Sequence, residues 1–133
     1  VGGTVYVHHP YPSMDWLYLS LPSGLMAANI LAVNNIRDRA QDELVGKRTI
    51  AVRLGDTKAR YEFVGLLVLA HGAAVATLVP TALLTLLVTP MSYSVSRLVL
   101  SGVSGTDLIP VLGRTGKIQL LFAVVFALAL AIQ

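Results

Sequence analysis

Cysteine is absent from the 133 residues, and charge is scarce: 13% of residues are Asp, Glu, Lys or Arg, against about 25% in an ordinary soluble domain. Aromatic residues are few as well, at 7%. Each shortage removes a class of function. Without cysteine there is no thiol nucleophile, no disulfide framework and no Cys-type zinc or iron–sulfur site. Without dense charge there is neither a disordered chain nor a basic nucleic-acid face, so no nucleic-acid partner is expected. Apolar side chains fill the space instead: 55% of residues are hydrophobic and the mean hydropathy is +0.71. That composition points to an integral membrane protein. The first residue is Val1 rather than Met, as expected for a piece of a longer chain.

The few charges divide the sequence. None falls between Trp16 and Ile36, between Phe63 and Ser96, or between Ile118 and Gln133. A spanning helix needs about 20 apolar residues, so the first run fits one crossing. The second would reach roughly 50 Å as one straight helix, too far for a hydrocarbon core of about 30 Å. It reads as a hairpin turning near Pro80, because proline lacks an N–H and disfavours helix at the residue before it. Pro90 is expected to kink the second arm. The fold class is therefore an all-α, polytopic transmembrane helix bundle. Its spans are expected at about 16–36, 62–79, 81–98 and 117–133, with a polar loop over 37–61. A water-soluble bundle would carry polar stripes, and these segments do not.

Seven of the ten basic residues lie between Arg37 and Arg60; the others are Arg97, Arg114 and Lys117. Tracing four spans puts all ten on one face of the membrane, which the positive-inside rule makes cytoplasmic. Tyr6, Tyr11, Trp16 and Tyr18 would form an aromatic belt on the other side. His8 and His9 are adjacent, so they point apart and lack a third ligand; they read as an ordinary loop pair. His71, mid-membrane, is a candidate by position, although a neutral His bonded to a neighbouring helix explains it better. Asp107, Arg114 and Lys117 read as interfacial anchors, and Gly24, Gly65 and Gly72 as close-packing positions.

The informative stretch is NNIRDRAQDELVGKRTIAVRLG, residues 34–55. Asn34, Asp38 and Asp42 are spaced by four, so on a helix they form one polar stripe. Two like charges at that spacing repel, and a hard divalent cation relieves the repulsion. Mg²⁺ is held typically by one or two carboxylates plus substrate phosphates. Lys47 and Arg48 follow, and both bind phosphate oxygens well. Asn35 adds a second amide at a boundary where unpartnered amides are costly. The alternative is a solvated loop in which Asp38 and Asp42 pair with Arg37, Arg39 or Lys47; spacing alone leaves both open. A phosphate-binding P-loop is excluded, since Gln41 and Arg48 stand where Gly and Ser or Thr are required. GRTGK at 113–117 fails likewise at Val111.

The pattern N-N-x-R-D-x-x-x-D-x-x-x-G-K-R-T-x-A-V resembles the second aspartate-rich motif of the UbiA superfamily of intramembrane prenyltransferases, in its menaquinone-pathway branch. The flanking LSLPSGLMAANILAVNN and KIQLLFAVVFALALAI are similar to that family's later helices. The resemblance implies a nine-helix bundle of which this chain is the C-terminal half. It implies Mg²⁺ as cofactor, and as partners the lipid bilayer, a polyprenyl diphosphate and 1,4-dihydroxy-2-naphthoate, which is prenylated with loss of CO₂ to give demethylmenaquinone. Asp38 and Asp42 would hold the metal and act as catalytic residues. Asn34, Asn35, Arg37, Lys47 and Arg48 would bind the diphosphate. The first aspartate motif of the family is absent, and Asp15, Glu43, Asp56, Glu62 and Asp107 do not form it. The missing N-terminal half would carry it, in a multi-pass protein of the cell membrane. Two further expectations stand beside this one: a UbiA-type enzyme using 4-hydroxybenzoate, homogentisate or haem, and a non-catalytic membrane module.

Overall fold

A computed structural model describes residues 14–132. His8, His9, Tyr6 and Tyr11 lie outside the described residues. No strand occurs among the described residues. Helix α1 spans Met14–Leu44, α2 is the short Ile50–Leu54, and α3 spans Asp56–Ala76. A 3-10 helix over Pro80–Val88 then runs into α4, Thr89–Leu100. A second short 3-10 turn, Gly105–Leu108, leads into α5, Ile109–Ala131. Among the described residues, four stretches are long and apolar enough to cross a membrane: Tyr18–Leu44, Asp56–Ala76, Pro80–Leu100 and Gly105–Ala131.

The expected loop over 37–61 is largely helical. At 31 residues, α1 extends about 46 Å, well beyond a hydrocarbon core of about 30 Å. It therefore carries its polar stripe out of the apolar layer without unwinding. Likewise α3 begins at Asp56 and α5 at Ile109, each several residues before its charge-free run. Gly55, with a φ of 79°, precedes α3 and Pro110 stands in the first turn of α5, and hydropathy registers neither. Pro80 does begin the second arm of the hairpin, after a turn at Thr77–Val79 in which Leu78 takes a positive φ of 56°. Pro90 sits at the start of α4, where the 3-10 helix becomes α-helical.

The core is a set of apolar stripes. Phe63, Leu67, Ala70 and Ala74 recur at helical spacing on α3, and Ile118, Phe122, Phe126 and Ala129 do so on α5. Met26, Val33 and Ile36 face them from α1. Leucines and valines such as Leu31, Val68, Leu87, Leu120 and Leu128 remain exposed on the outer faces, the surface a lipid-facing bundle presents. Polar groups inside are bonded locally: Thr85, Ser96 and Thr115 donate to Ala82 O, Ser92 O and Val111 O. Asn29, fully buried on α1, bonds across helices instead. With its amide oriented to satisfy both atoms, Nδ2 donates to Phe63 O (2.8 Å) and Oδ1 accepts from Leu67 N (3.0 Å).

Candidate functional site

The last turns of α1 carry the polar stripe. Asn34 Nδ2 donates to Asp38 Oδ2 at 3.5 Å. Arg37 forks onto the same carboxylate, Nε to Oδ1 and Nη2 to Oδ2, both at 2.7 Å. That pair is between neighbours in the chain and about a third exposed. An ion pair so hydrated is worth no more than about 1 kcal/mol, so it yields readily to a stronger partner.

Asp42, one turn on, is set differently. It is 6% exposed. Lys47 Nζ reaches its Oδ1 at 3.1 Å, while its Oδ2 is buried with no hydrogen-bond partner. The local sequence explains how Lys47 gets there. Gly46 adopts φ 73°, and its N–H bonds Glu43 O (3.2 Å) while Lys47 N–H bonds Asp42 O (2.8 Å). This paired closure is the Schellman ending of a helix, and it needs a left-handed residue that only glycine supplies cheaply. The turn folds the chain back and aims the ammonium at Asp42.

The next residues divide between structure and chemistry. Thr49 caps α2, its Oγ1 accepting from Val52 N at 3.4 Å. Arg48 is exposed and makes no ion pair or hydrogen bond among the described residues. Asn35 is half-buried on α1. The structure thus brings Asn34, Arg37, Asp38, Asp42 and Lys47 together at one helix end, and Arg48 follows Lys47 in the chain.

One connection is not visible in the motif. Asp56 at the start of α3 accepts from Arg60 through both guanidinium faces, Nε–Oδ2 2.7 Å and Nη2–Oδ1 3.0 Å. Arg60 is buried and also donates to Val99 O and to Val103 O. Arg39 of α1 approaches Asp56 at 3.8 Å and Glu43 at 3.4 Å. The acidic helix end is tied through Asp56 and Arg60 to the end of α4. The i, i+4 spacing of Asp56 and Arg60 at a helix start is the one sequence signal for this.

Among the described residues, no group of three or more His, Cys, Asp or Glu side chains converges on a metal position. Two carboxylates are present instead, one of which keeps a free buried oxygen. That oxygen set suits a hard cation whose remaining ligands are water and phosphate.

Comparison with known proteins identifies the family. The model of the UbiA prenyltransferase family matches residues 1–132. The chain is 37% identical to a Mycobacterium leprae protein named 1,4-dihydroxy-2-naphthoate octaprenyltransferase, over 90% of this chain and 42% of that protein. Proteins of the same name from Mycobacterium tuberculosis and Haemophilus influenzae are 35% and 34% identical, over 89% and 99% of this chain and 42% and 44% of theirs. The chain thus spans less than half the length of these curated relatives. No solved structure matches it.

Proposed function

The chain belongs to the UbiA prenyltransferase family, and from that premise we propose that it is the C-terminal half of an enzyme that transfers a polyprenyl group to 1,4-dihydroxy-2-naphthoate. The reading is supported by relatives that bear the name of that activity. The observation that carries it is the buried, unpartnered Oδ2 of Asp42, one helical turn from Asp38.

In this reaction the C–O bond between prenyl carbon and diphosphate breaks, and its electron pair leaves with the diphosphate. The allylic carbon bonds to the ring carbon bearing the carboxylate. That carboxylate departs as CO₂ and returns its electrons to the ring. The product is the prenylated naphthoquinol, the reduced form of demethylmenaquinone. Asp38 and Asp42 would hold Mg²⁺. When bound, the metal supplies Lewis-acid stabilisation of the charge on the departing diphosphate. Arg37, Lys47 and Arg48 neutralise phosphate oxygens, and Asn34 and Asn35 donate amide N–H groups to them. Once diphosphate takes Arg37 and Lys47, both carboxylates are released from their ion pairs. Arg37 and Lys47 thus keep the acids charge-compensated while no substrate is present. This is preorganised electrostatic stabilisation of a leaving group.

The site faces the cytoplasm of a cell membrane in this reading, because the basic residues cluster at its end of the bundle. The 133 residues alone are inactive, since the first aspartate motif must come from the remaining half. The test is prenyl transfer by the complete polypeptide and its Asp38→Asn and Asp42→Asn variants. Each substitution lowers turnover at least about 100-fold, in line with several kcal/mol of lost transition-state stabilisation. Near-normal turnover in both defeats the assignment, as does Mg²⁺-dependent transfer by the isolated 133 residues.

A further inference from the structure

Five cations outside this site, Arg53, Lys58, Arg97, Arg114 and Lys117, make no ion pair among the described residues, whereas Arg37, Arg39, Lys47 and Arg60 all do. The last three of the five are exposed and lie together. Arg97 and Arg114 line one cavity of about 430 Å³ between α4 and α5, with Tyr93, Ser94 and Ser101. Arg114 also lines an adjoining cavity of about 440 Å³ with Lys117, and Ser94 is common to both. The two form one groove. Its remaining wall is apolar, with Met91, Val95 and Ile118.

Two physical points make this more than a solvated face. Arg114 and Lys117 are three apart on α5, so they are like charges on one helix face, an arrangement that repels unless an anion intervenes. Both also lie early in the 27-residue stretch Gly105–Ala131, just ahead of the charge-free run that starts at Ile118, which places them at the boundary of the apolar layer. The bundle topology puts them at the same end as the aspartate site: Arg60 at the start of α3 bonds Val99 O and Val103 O, at and just past the end of α4. At that depth the available anions are lipid phosphates, and basic pockets between helices hold such headgroups.

We propose that the α4–α5 groove binds the phosphate of an anionic glycerophospholipid. Arg97, Arg114 and Lys117 ligate the phosphate, Tyr93 and Ser94 supply hydroxyls, and an acyl chain lies along Met91, Val95 and Ile118. The site is separate from the aspartate stripe, so its test does not depend on prenyl transfer.

The test is native mass spectrometry of the detergent-solubilised chain, titrated with phosphatidylglycerol or with phosphatidylcholine. The chain retains phosphatidylglycerol at least about tenfold more tightly, at roughly fivefold per basic residue engaged. The triple variant Arg97→Gln, Arg114→Gln, Lys117→Gln loses that preference. A control variant, Arg53→Gln with Lys58→Gln, removes two exposed cations at the same end of the bundle and keeps it. If the triple variant loses helical circular dichroism, the single Arg114→Gln variant decides, with an expected drop of about fivefold. Equal retention by the substituted and unsubstituted chains overturns the proposal, as does an equal loss in the control. Displacement of the lipid by inorganic diphosphate also overturns it, because the groove is then a free-phosphate site.

Discussion

Asp42 and Asp38 share a residue type and a helix face, yet burial separates their roles. A buried polar atom left without a partner costs about 1–3 kcal/mol, and Asp42 Oδ2 is such an atom. Asp38 has both oxygens engaged by a half-exposed Arg37. Neither pair contributes much to stability: Lys47 is 60% exposed at its side chain, and such pairs are worth about 0–1 kcal/mol. Asp38→Asn and Asp42→Asn should therefore change thermal stability of the chain in detergent by less than about 1 kcal/mol. Mn²⁺ binding followed by electron paramagnetic resonance should fall in both, more steeply for Asp42→Asn. Large losses of stability with metal binding unchanged would make the two carboxylates structural. Leu78 presents the converse case. It is 88% exposed with a φ of 56°, a left-handed conformation that costs a side chain about 1–2 kcal/mol. Leu78→Gly gives up little packing and should raise the melting midpoint, with a gain of about 0.5–1 kcal/mol after glycine's own entropy.

Among the elements, the joints matter more than the spans. The Schellman ending at Gly46 decides where α1 stops and where Lys47 points. Gly46→Ala puts a Cβ into the left-handed region, costs about 1–2 kcal/mol, and moves the ammonium off Asp42. Arg60 is the second joint. Its guanidinium holds Asp56 of α3 and two carbonyls at the end of α4 at once. Arg60→Met strands those carbonyls, while Asp56 remains partly hydrated at 42% side-chain exposure. A loss of about 3 kcal/mol follows, at the lower end for breaking a buried charged network, and thermal unfolding monitored by circular dichroism measures it. At the opposite end, Thr81 donates to Ala129 O at 2.6 Å, so the 3-10 arm and α5 are fastened at the far side as well.

Across the bundle, the basic residues gather at one end and the Thr77–Val79 turn lies at the other. The absence of cysteine makes orientation directly measurable. In intact cells a membrane-impermeant maleimide should label Leu78→Cys, whereas Lys58→Cys should react only after permeabilisation. The reverse pattern would put the aspartate site on the outer side and remove the cytoplasmic supply of substrate from the proposed function.

Composition and the spacing of charge are sufficient for the class of molecule, the number of crossings and the aspartate stripe, because hydrophobic length and helical period are properties of consecutive residues. Asn34, Asp38 and Asp42 fall on one face however the rest folds. The helical ends are not legible in that way: α1 continues through Leu44 to the turn at Gly46, and α5 starts at Ile109 with Pro110 in its first turn, so apolar runs do not mark where helices begin and end. Burial is not legible either. Asp42 hides one oxygen while Asp38 stays half-exposed, and Arg60 reaches carbonyls 39 and 43 residues away. Those outcomes depend on which helix packs against which, and packing joins positions that no local spacing connects.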